Sequence, residues 1–152
     1  MIPAITLCTI EDRHLSRVAE IEALCFAEPW SEAALGLLTG EMGYGVVAMN
    51  EDGQVLGYGG MLIAPDEGQI TNIAVHPSHR RLGVGHALLS ALEQEAQGRG
   101  LCQLSLEVRV SNLAAISLYE RHGFEAAGRR RGFYRHPTED GLVMLLQLSE
   151  SN

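Results

Sequence analysis

"GQITNIAVHPSHRRLGVGHALLSALEQEAQGRGLCQLSLEV", residues 68–108, changes its period twice. Residues 69–76 read as a strand ended by Pro77. From Gly83 to Gly98 the apolar residues Val84, Ala87, Leu88, Ala91 and Leu92 recur at helical spacing, and Gly98 and Gly100 stop the helix. Residues 101–108 then alternate strictly. Leu104, Leu106 and Val108 point one way, and Gln103, Ser105, Glu107 and Arg109 the other. Strand, helix and strand make a β-α-β unit, whose two strands run parallel through a right-handed crossover. The turn between Val75 and Gly83 therefore sits at the C-terminal end of a strand, where open α/β sheets bind ligands.

That turn has its own chemistry. Gly83 and Gly85 lack a Cβ, so a bulky anion can approach the chain closely. The first amides of the following helix have no intrahelical partners, and the helix dipole adds positive character. Arg80 and Arg81 add full charge, in a chain whose formal net charge is −8. These features describe a phosphate or diphosphate seat. A tight turn with two solvated arginines is the plainer reading of the same loop. The P-loop pattern G-x-x-x-x-G-K-[ST] is missing, and "GVGHAL" lacks the third glycine of the dinucleotide fingerprint.

Outward from this unit the chain continues the same alternation of elements. "AITLCTI" (4–10) reads as a strand, and the spacing of Thr9 and Asp12 predicts a capping box. A helix with Leu15, Val18, Ile21 and Cys25 on its apolar side should follow. "EPWSEAALGLL" reads as a loop and a second helix capped by Ser31. "GYGVVAMN" and "QVLGYGGMLIAP" are strands joined by a turn at "EDGQ". Asn112 starts a short helix that Gly123 ends, and "FEAAGRRRGFYR" and "GLVMLLQL" close the chain as strands. The expected class is α/β (α+β), a mixed sheet in one domain over residues 1–152.

Composition narrows the function. The acidic balance argues against direct nucleic-acid binding and suits a basic peptide partner. No apolar run approaches the ~18 residues of a membrane span. "MIPAITLCTIEDRH" has neither a basic leader region nor a cleavage site, so a cytoplasmic protein is expected. The three scattered cysteines read as reduced, buried thiols, and nothing local marks Cys25 as a nucleophile. His76 and His79 are separated by Pro77, so no metal site is expected.

The loop and its neighbours together resemble the GCN5-related N-acetyltransferase superfamily. Arg80-Arg81-Leu82-Gly83-Val84-Gly85 fits the R/Q-x-x-G-x-G/A signature that follows the fourth strand there. The resemblance implies a mostly antiparallel sheet around the central parallel β-α-β unit, with helices on both faces. It implies that Arg81, Leu82, Gly83, Val84, Gly85 and His86 hold the diphosphate of acetyl-coenzyme A. It implies that Ile73, Ala74 and Val75 receive the pantetheine arm, and that Asn112 touches the cofactor. "FAEPWS", "LEVRVSNLAAISLYERHGF" and "RRRGFY…EDGLVM" are similar to the ribosomal-protein-alanine N-acetyltransferase branch, with Gly141 where that branch commonly has alanine. That likeness implies acetylation of the N-terminal alanine of the eighteenth small-subunit ribosomal protein. The acceptor would be a basic N-terminal peptide and the enzyme a monomer or weak oligomer.

In that branch the glutamate of "LEVR", here Glu107, accepts the proton, and Tyr119 donates one to the leaving thiolate. By themselves Glu107 is a polar-face strand residue, Asn112 a helix cap and Tyr119 an amphipathic core residue. Proton energetics constrain the roles. A carboxylate at ~4.3 takes a proton from an α-ammonium at ~8 uphill by roughly 5 kcal/mol, so it works through water or after attack. Roughly a quarter of α-amines are free near neutral pH, far more than lysine amines, and a modest base suits them. Trp30, Phe133 and Tyr134 are candidate groove residues, and Glu28, Glu32 and Asp140 could attract a basic peptide. Arg129 to Arg131 also fit a solvated hairpin edge. Two other readings stay open: the same fold acting on a lysine or small amine, and a non-catalytic acyl-coenzyme A-binding module.

Overall fold

The computed structural model describes residues 4–80 and 82–148, so Arg81 lies outside the described residues. Strands β1 (Thr6–Thr9), β2 (Gly43–Met49), β3 (Val55–Ile63), β4 (Glu67–Val75), β5 (Gln103–Arg109), β6 (Glu125–Tyr134) and β7 (Glu139–Gln147) form one sheet. Their order is β1-β2-β3-β4-β5-β7-β6. Among the described residues only the β4–β5 pair is parallel, as the crossover requires; every other neighbour pair is antiparallel.

Helices cover both faces. α3 (Val84–Gly98) and α4 (Leu113–Arg121) lie on one face, where Leu88, Leu89 and Leu92 pack with Leu104, Leu106 and Met144. α1 (Leu15–Cys25) and α2 (Glu32–Leu35) lie on the other, with Val18, Ile21 and Leu35 packed on Val47, Tyr58 and Ala74. The close seat of α3 needs glycine in β3. A Cβ at Gly59 would meet Leu92 Cδ1 at 3.2 Å. On β5 the alternation is as expected: Leu104, Leu106 and Val108 are buried, while Gln103, Ser105, Glu107 and Arg109 are half-buried.

Three local expectations need correction. The first helix is not entered through Thr9 and Asp12. Sheet pairing continues one residue further, with Ile10 N–H bonded to Gly45 O at 2.8 Å. Glu11 then leads a 3-10 turn, Asp12–His14, and its N–H donates to His14 Nδ1 at 2.9 Å. The second helix is shorter than its pattern. Ser31 does cap it, accepting from Ala34 N at 3.1 Å. At Gly36, a poor helix former, it tightens into a 3-10 turn running to Thr39. The thiols are free but not buried: Cys8 and Cys25 are half-buried and Cys102 is exposed. Cys102 engages through its backbone, its N–H on Asp66 O and its carbonyl under Leu148 N–H, leaving the side chain outside.

Candidate active site

The parallel pair is short. β4 and β5 stay in register only over Glu67–Gln69 and Gln103–Ser105. A register shift on β4 follows, so that Thr71 has no partner on β3 between Ile70, opposite Met61, and Asn72, opposite Gly60. Such a bulge bends a strand and ends its pairing. Beyond it β4 leaves β5, and a cavity of about 840 Å³ opens, lined by both strands.

The register fixes what the open edge offers. His76 N–H bonds Leu56 O at 2.8 Å, and Ala74 lies opposite Tyr58 in the same phase. Antiparallel pairing alternates, so Ala74 spends its backbone groups on β3, while those of Ile73 and Val75 face the gap. Ala74 also buries its methyl under α1. Val75 O accepts weak bonds from Cys25 Sγ at 3.4 Å and Arg80 Nε at 3.3 Å.

The glycine loop stands beside this gap. A 3-10 turn, Pro77–His79, leads into it, and His76 Nδ1 accepts from Ser78 N–H. Gly83 has φ +83°, and no heavy atom lies within 4 Å of where its Cβ would stand. Only glycine adopts this conformation without strain, and it starts α3 while leaving the approach to the loop open. The first intrahelical bond runs from Ala87 N to Gly83 O, so the amides of Val84, Gly85 and His86 precede the helical ladder. Leu82 is half-buried against the main core.

Glu107, Tyr119, Asn112 and Ile73 all line the cavity; Leu82 to His86 are not part of that lining, and Val84 is buried in the main core. Glu107 Oε1 is 3.4 Å from Arg130 Nε, and Oε2 is buried without a partner. Thr71 Oγ1, also in the lining, is likewise buried and unpartnered. An acceptor left bare in a dry site is costly, so both oxygens favour a ligand donor or a water. Asn112 caps α4, its Oδ1 accepting from Ala115 N at 3.2 Å. The Tyr119 ring is buried against Phe124, and burial pushes its phenol well above the ordinary value. The hydroxyl stays protonated at neutral pH as a donor.

Several functional side chains escape a reading of sequence alone. Glu22 is fully buried in α1. It accepts from the Tyr58 hydroxyl, from Asn72 Nδ2 at 2.8 Å and from Trp30 N–H at 3.0 Å. Burial raises its carboxyl above the usual range, and these hydrogen bonds pull the other way. Glu22 thereby ties β3, β4 and the loop before α2 together beneath the cavity. Its signal was present: Val18, Glu22 and Cys25 fall on one helical stripe.

Arg109 is the second. It donates to Pro137 O at 2.9 Å and to Arg135 O at 2.6 Å, pairs with Glu139 and stacks on Tyr134. It thus holds the β6–β7 turn over the cavity. Tyr134 joins the lining with Trp30 and Phe133, and burial together with Glu107 pushes its phenol up to about 12. Arg135 N–H donates to Glu28, closing one rim onto the other. Arg129 pairs with Asp140 at 2.7 Å, so two of the carboxylates expected to draw a basic peptide are already engaged within the chain.

Among the described residues no group of His, Cys, Asp or Glu could hold a metal, and no helix is long and apolar enough to cross a membrane.

The chain is 38% identical over 148 residues to the [ribosomal protein bS18]-alanine N-acetyltransferase of Escherichia coli (strain K12), covering 95% of this chain and 98% of that one. The crystal structure of the ribosomal-protein-S18-alanine N-acetyltransferase from Escherichia coli superposes with a TM-score of 0.91 at 36% identity, covering 98% of this chain and 97% of the other. Arabidopsis thaliana NAA60, solved in complex with acetyl-CoA, shares the fold at a TM-score of 0.85 and 18% identity, covering 95% of this chain and 99% of that one. The acetyltransferase (GNAT) family pattern matches residues 15–124. With the parted parallel strands and the glycine loop at the head of α3, this match establishes that the chain belongs to the acetyltransferase (GNAT) family.

Proposed function

We propose that this chain transfers an acetyl group from acetyl-coenzyme A to the α-amine of the N-terminal alanine of ribosomal protein bS18, in the cytoplasm. The observation that carries the reading is the cavity itself. One wall offers an unpartnered carboxylate oxygen, Glu107 Oε2, and the same lining holds Tyr119, at the point where β4 leaves β5. The 38% identity to the bS18 enzyme supports the choice of acceptor.

The residues present fit the cofactor. The open space at Gly83 and the amides of Val84, Gly85 and His86 suit a diphosphate. The backbone edge turned away from β3 at Ile73 and Val75, on either side of Ala74, suits an amide-bearing arm that would replace the weak bonds Cys25 and Arg80 make to Val75 O, and Asn112 shares the cavity lining with Ile73. When bound, acetyl-coenzyme A supplies an activated acetyl thioester.

The chain's own groups then manage protons. Glu107 Oε2 receives the α-ammonium as a hydrogen-bond donor and orients its nitrogen. Glu107 removes the proton through an ordered water or after the nitrogen has been acidified by attack. Tyr119, in the same lining, would donate its hydroxyl hydrogen bond to the leaving sulfur. A thiol resembling cysteine titrates near 8.5 and the buried phenol above 10, so full transfer is uphill by at least about 2 kcal/mol. Tyr119 therefore serves chiefly as a hydrogen-bond donor to developing thiolate charge.

Mass spectrometry tests the reading directly. A synthetic peptide beginning with alanine should gain one acetyl group at its α-amine when acetyl-coenzyme A is present. Acetylation confined to polyamines or internal lysines would remove the proposed acceptor.

A further inference from the structure

Behind the glycine loop stands a chain of three side chains that the reaction above does not use. His86 lies on the first turn of α3, and its Nδ1 is 2.8 Å from His122 Nε2 at the C-terminal end of α4. His122 Nδ1 is in turn 3.0 Å from Glu93 Oε1, two turns along α3. His86 is exposed, whereas the His122 side chain is 7% exposed and that of Glu93 20%. We infer that Glu93 and His122 are positioning residues that hold His86 as a proton-bearing contact for a phosphate of coenzyme A. The inference rests on the coenzyme reading above.

Hydrogen bookkeeping supports it. Glu93 as a carboxylate only accepts, so His122 Nδ1 carries hydrogen. A contact of 2.8 Å between two ring nitrogens needs one hydrogen between them. With no extra proton, His86 donates from Nδ1 and its outer nitrogen, Nε2, is a bare lone pair that repels phosphate. With one extra proton on either ring, Nε2 becomes an N–H donor. A positive charge at the head of a helix opposes the helix dipole, and the Glu93 carboxylate behind the pair offsets that cost. The remaining charged groups of this end of α4 do not compete: Glu120 and Arg121 are exposed, and Arg121 turns to Ser117 O. Arg80 is directed at Val75 O and Cys25. A phosphate arriving at the loop thus pulls one proton onto the pair, and the ring beside the amides of α3 closes on it.

Titration calorimetry with coenzyme A, run in two buffers of different ionisation heat, tests this. The wild type should bind and take up a fraction of a proton. Glu93→Gln keeps an acceptor for His122 but removes the charge; it should weaken binding about five- to tenfold and reduce proton uptake. His86→Ala should do the same, and the double variant should lose no more than either single one. In turnover, Glu93→Gln should raise the KM for acetyl-coenzyme A more than it lowers kcat. Thermal unfolding without ligand separates these effects from misfolding, and Glu93→Gln remains informative if His122→Ala fails to fold. With 3′-dephospho-coenzyme A the Glu93→Gln penalty persists if the contact is to the diphosphate and vanishes if it is to the 3′-phosphate; either places the phosphate that His86 meets. Wild-type affinity and proton uptake retained in Glu93→Gln and His86→Ala would reduce the three residues to a tether between α3 and α4 and overturn the proposal alone. No binding by the wild type would overturn the coenzyme reading with it.

Discussion

Two alanine substitutions at the glycine loop should move stability and coenzyme binding in separable ways. Gly83 has φ +83°, and its missing Cβ faces open space. Gly83→Ala therefore costs only the left-handed backbone penalty, about 1–2 kcal/mol. At roughly 2–4 °C per kcal/mol for a domain of this size, the unliganded protein should melt about 2–8 °C lower. Gly85 lies inside α3 with ordinary backbone angles, and its Cβ would meet Leu118 Cδ2 at 3.4 Å, normal contact. Gly85→Ala should leave the melt unchanged or raise it, because alanine gains up to ~1 kcal/mol in a helix. The coenzyme reports differently. At Gly83 any relaxation of φ rotates the amides of Val84 and Gly85 away from the diphosphate, so the thermal shift given by saturating coenzyme A should shrink sharply. At Gly85 it should fall modestly or not at all. The assay is paired melting with and without coenzyme A. A Gly83→Ala protein that melts low yet gains the full wild-type shift would refute the assignment of the diphosphate to these amides.

Tyr119→Phe should lower kcat by about 10- to 100-fold while leaving the KM for acetyl-coenzyme A nearly unchanged, as steady-state kinetics would read. Equal losses in both would make Tyr119 a packing residue. Glu22→Gln keeps one acceptor oxygen for the Tyr58 hydroxyl but turns an NH2 toward the Asn72 and Trp30 donors, and should cost about 1–3 kcal/mol in urea unfolding. Because the same carboxylate holds Trp30 and Asn72, the KM for peptide should rise while that for coenzyme stays put. Above pH 10 the fold should lose stability. Burial raises Tyr58 and Tyr119, so the unfolded chain releases their protons first and the folded state holds more of them. The stabilisation is complete below about pH 10 and drains as pH rises, by up to ~1.4 kcal/mol per pH unit for each tyrosine. The chain contains no lysine to blur that window. Chemical unfolding at pH 9 and pH 11 checks it, and Tyr119→Phe should flatten the slope.

How much of this was legible in residues alone depends on whether local pattern or long-range pairing decides. On β5 pattern decides: each side chain has one face available, and strict alternation alone puts Glu107 on the face opposite Leu104, Leu106 and Val108. The same holds for α3, whose apolar stripe and glycine caps are local facts. The bulge at Thr71 is different. "QITNIAV" reads as an uninterrupted strand, and only pairing with β3 on one side and separation from β5 on the other makes one residue surplus. The cavity exists because of that surplus residue. Glu22 shows a third case. Its place on an apolar stripe was readable, but a buried carboxylate becomes intelligible only when its three donors arrive from Tyr58, Asn72 and Trp30, which lie 8 to 50 positions away.

The acceptor end also shows why composition misleads about recognition. A net charge of −8 suggests broad attraction for a basic peptide, yet the carboxylates around the mouth are largely spent within the chain. Glu28 receives the Arg135 amide, Glu139 holds Arg109 and Ser111, and Asp140 holds Arg129 and the Gly132 amide. Hydrogen bonds and arginine contacts keep Glu139 and Asp140 below their ordinary carboxylate values, so they remain charged and committed. Glu107 differs because Arg130, itself 60% exposed, covers only one of its oxygens. An exposed pair of this kind is worth at most about 1 kcal/mol and yields readily to a competing cation. The other Glu107 oxygen, Oε2, is buried without a partner, so a cation that displaces Arg130 finds an unsatisfied acceptor on the same carboxylate. A side-chain cation near Glu28, Glu139 or Asp140 meets groups that already have partners. The proposed preference for a terminus then rests on which carboxylate is left unsatisfied, rather than on how many the surface carries.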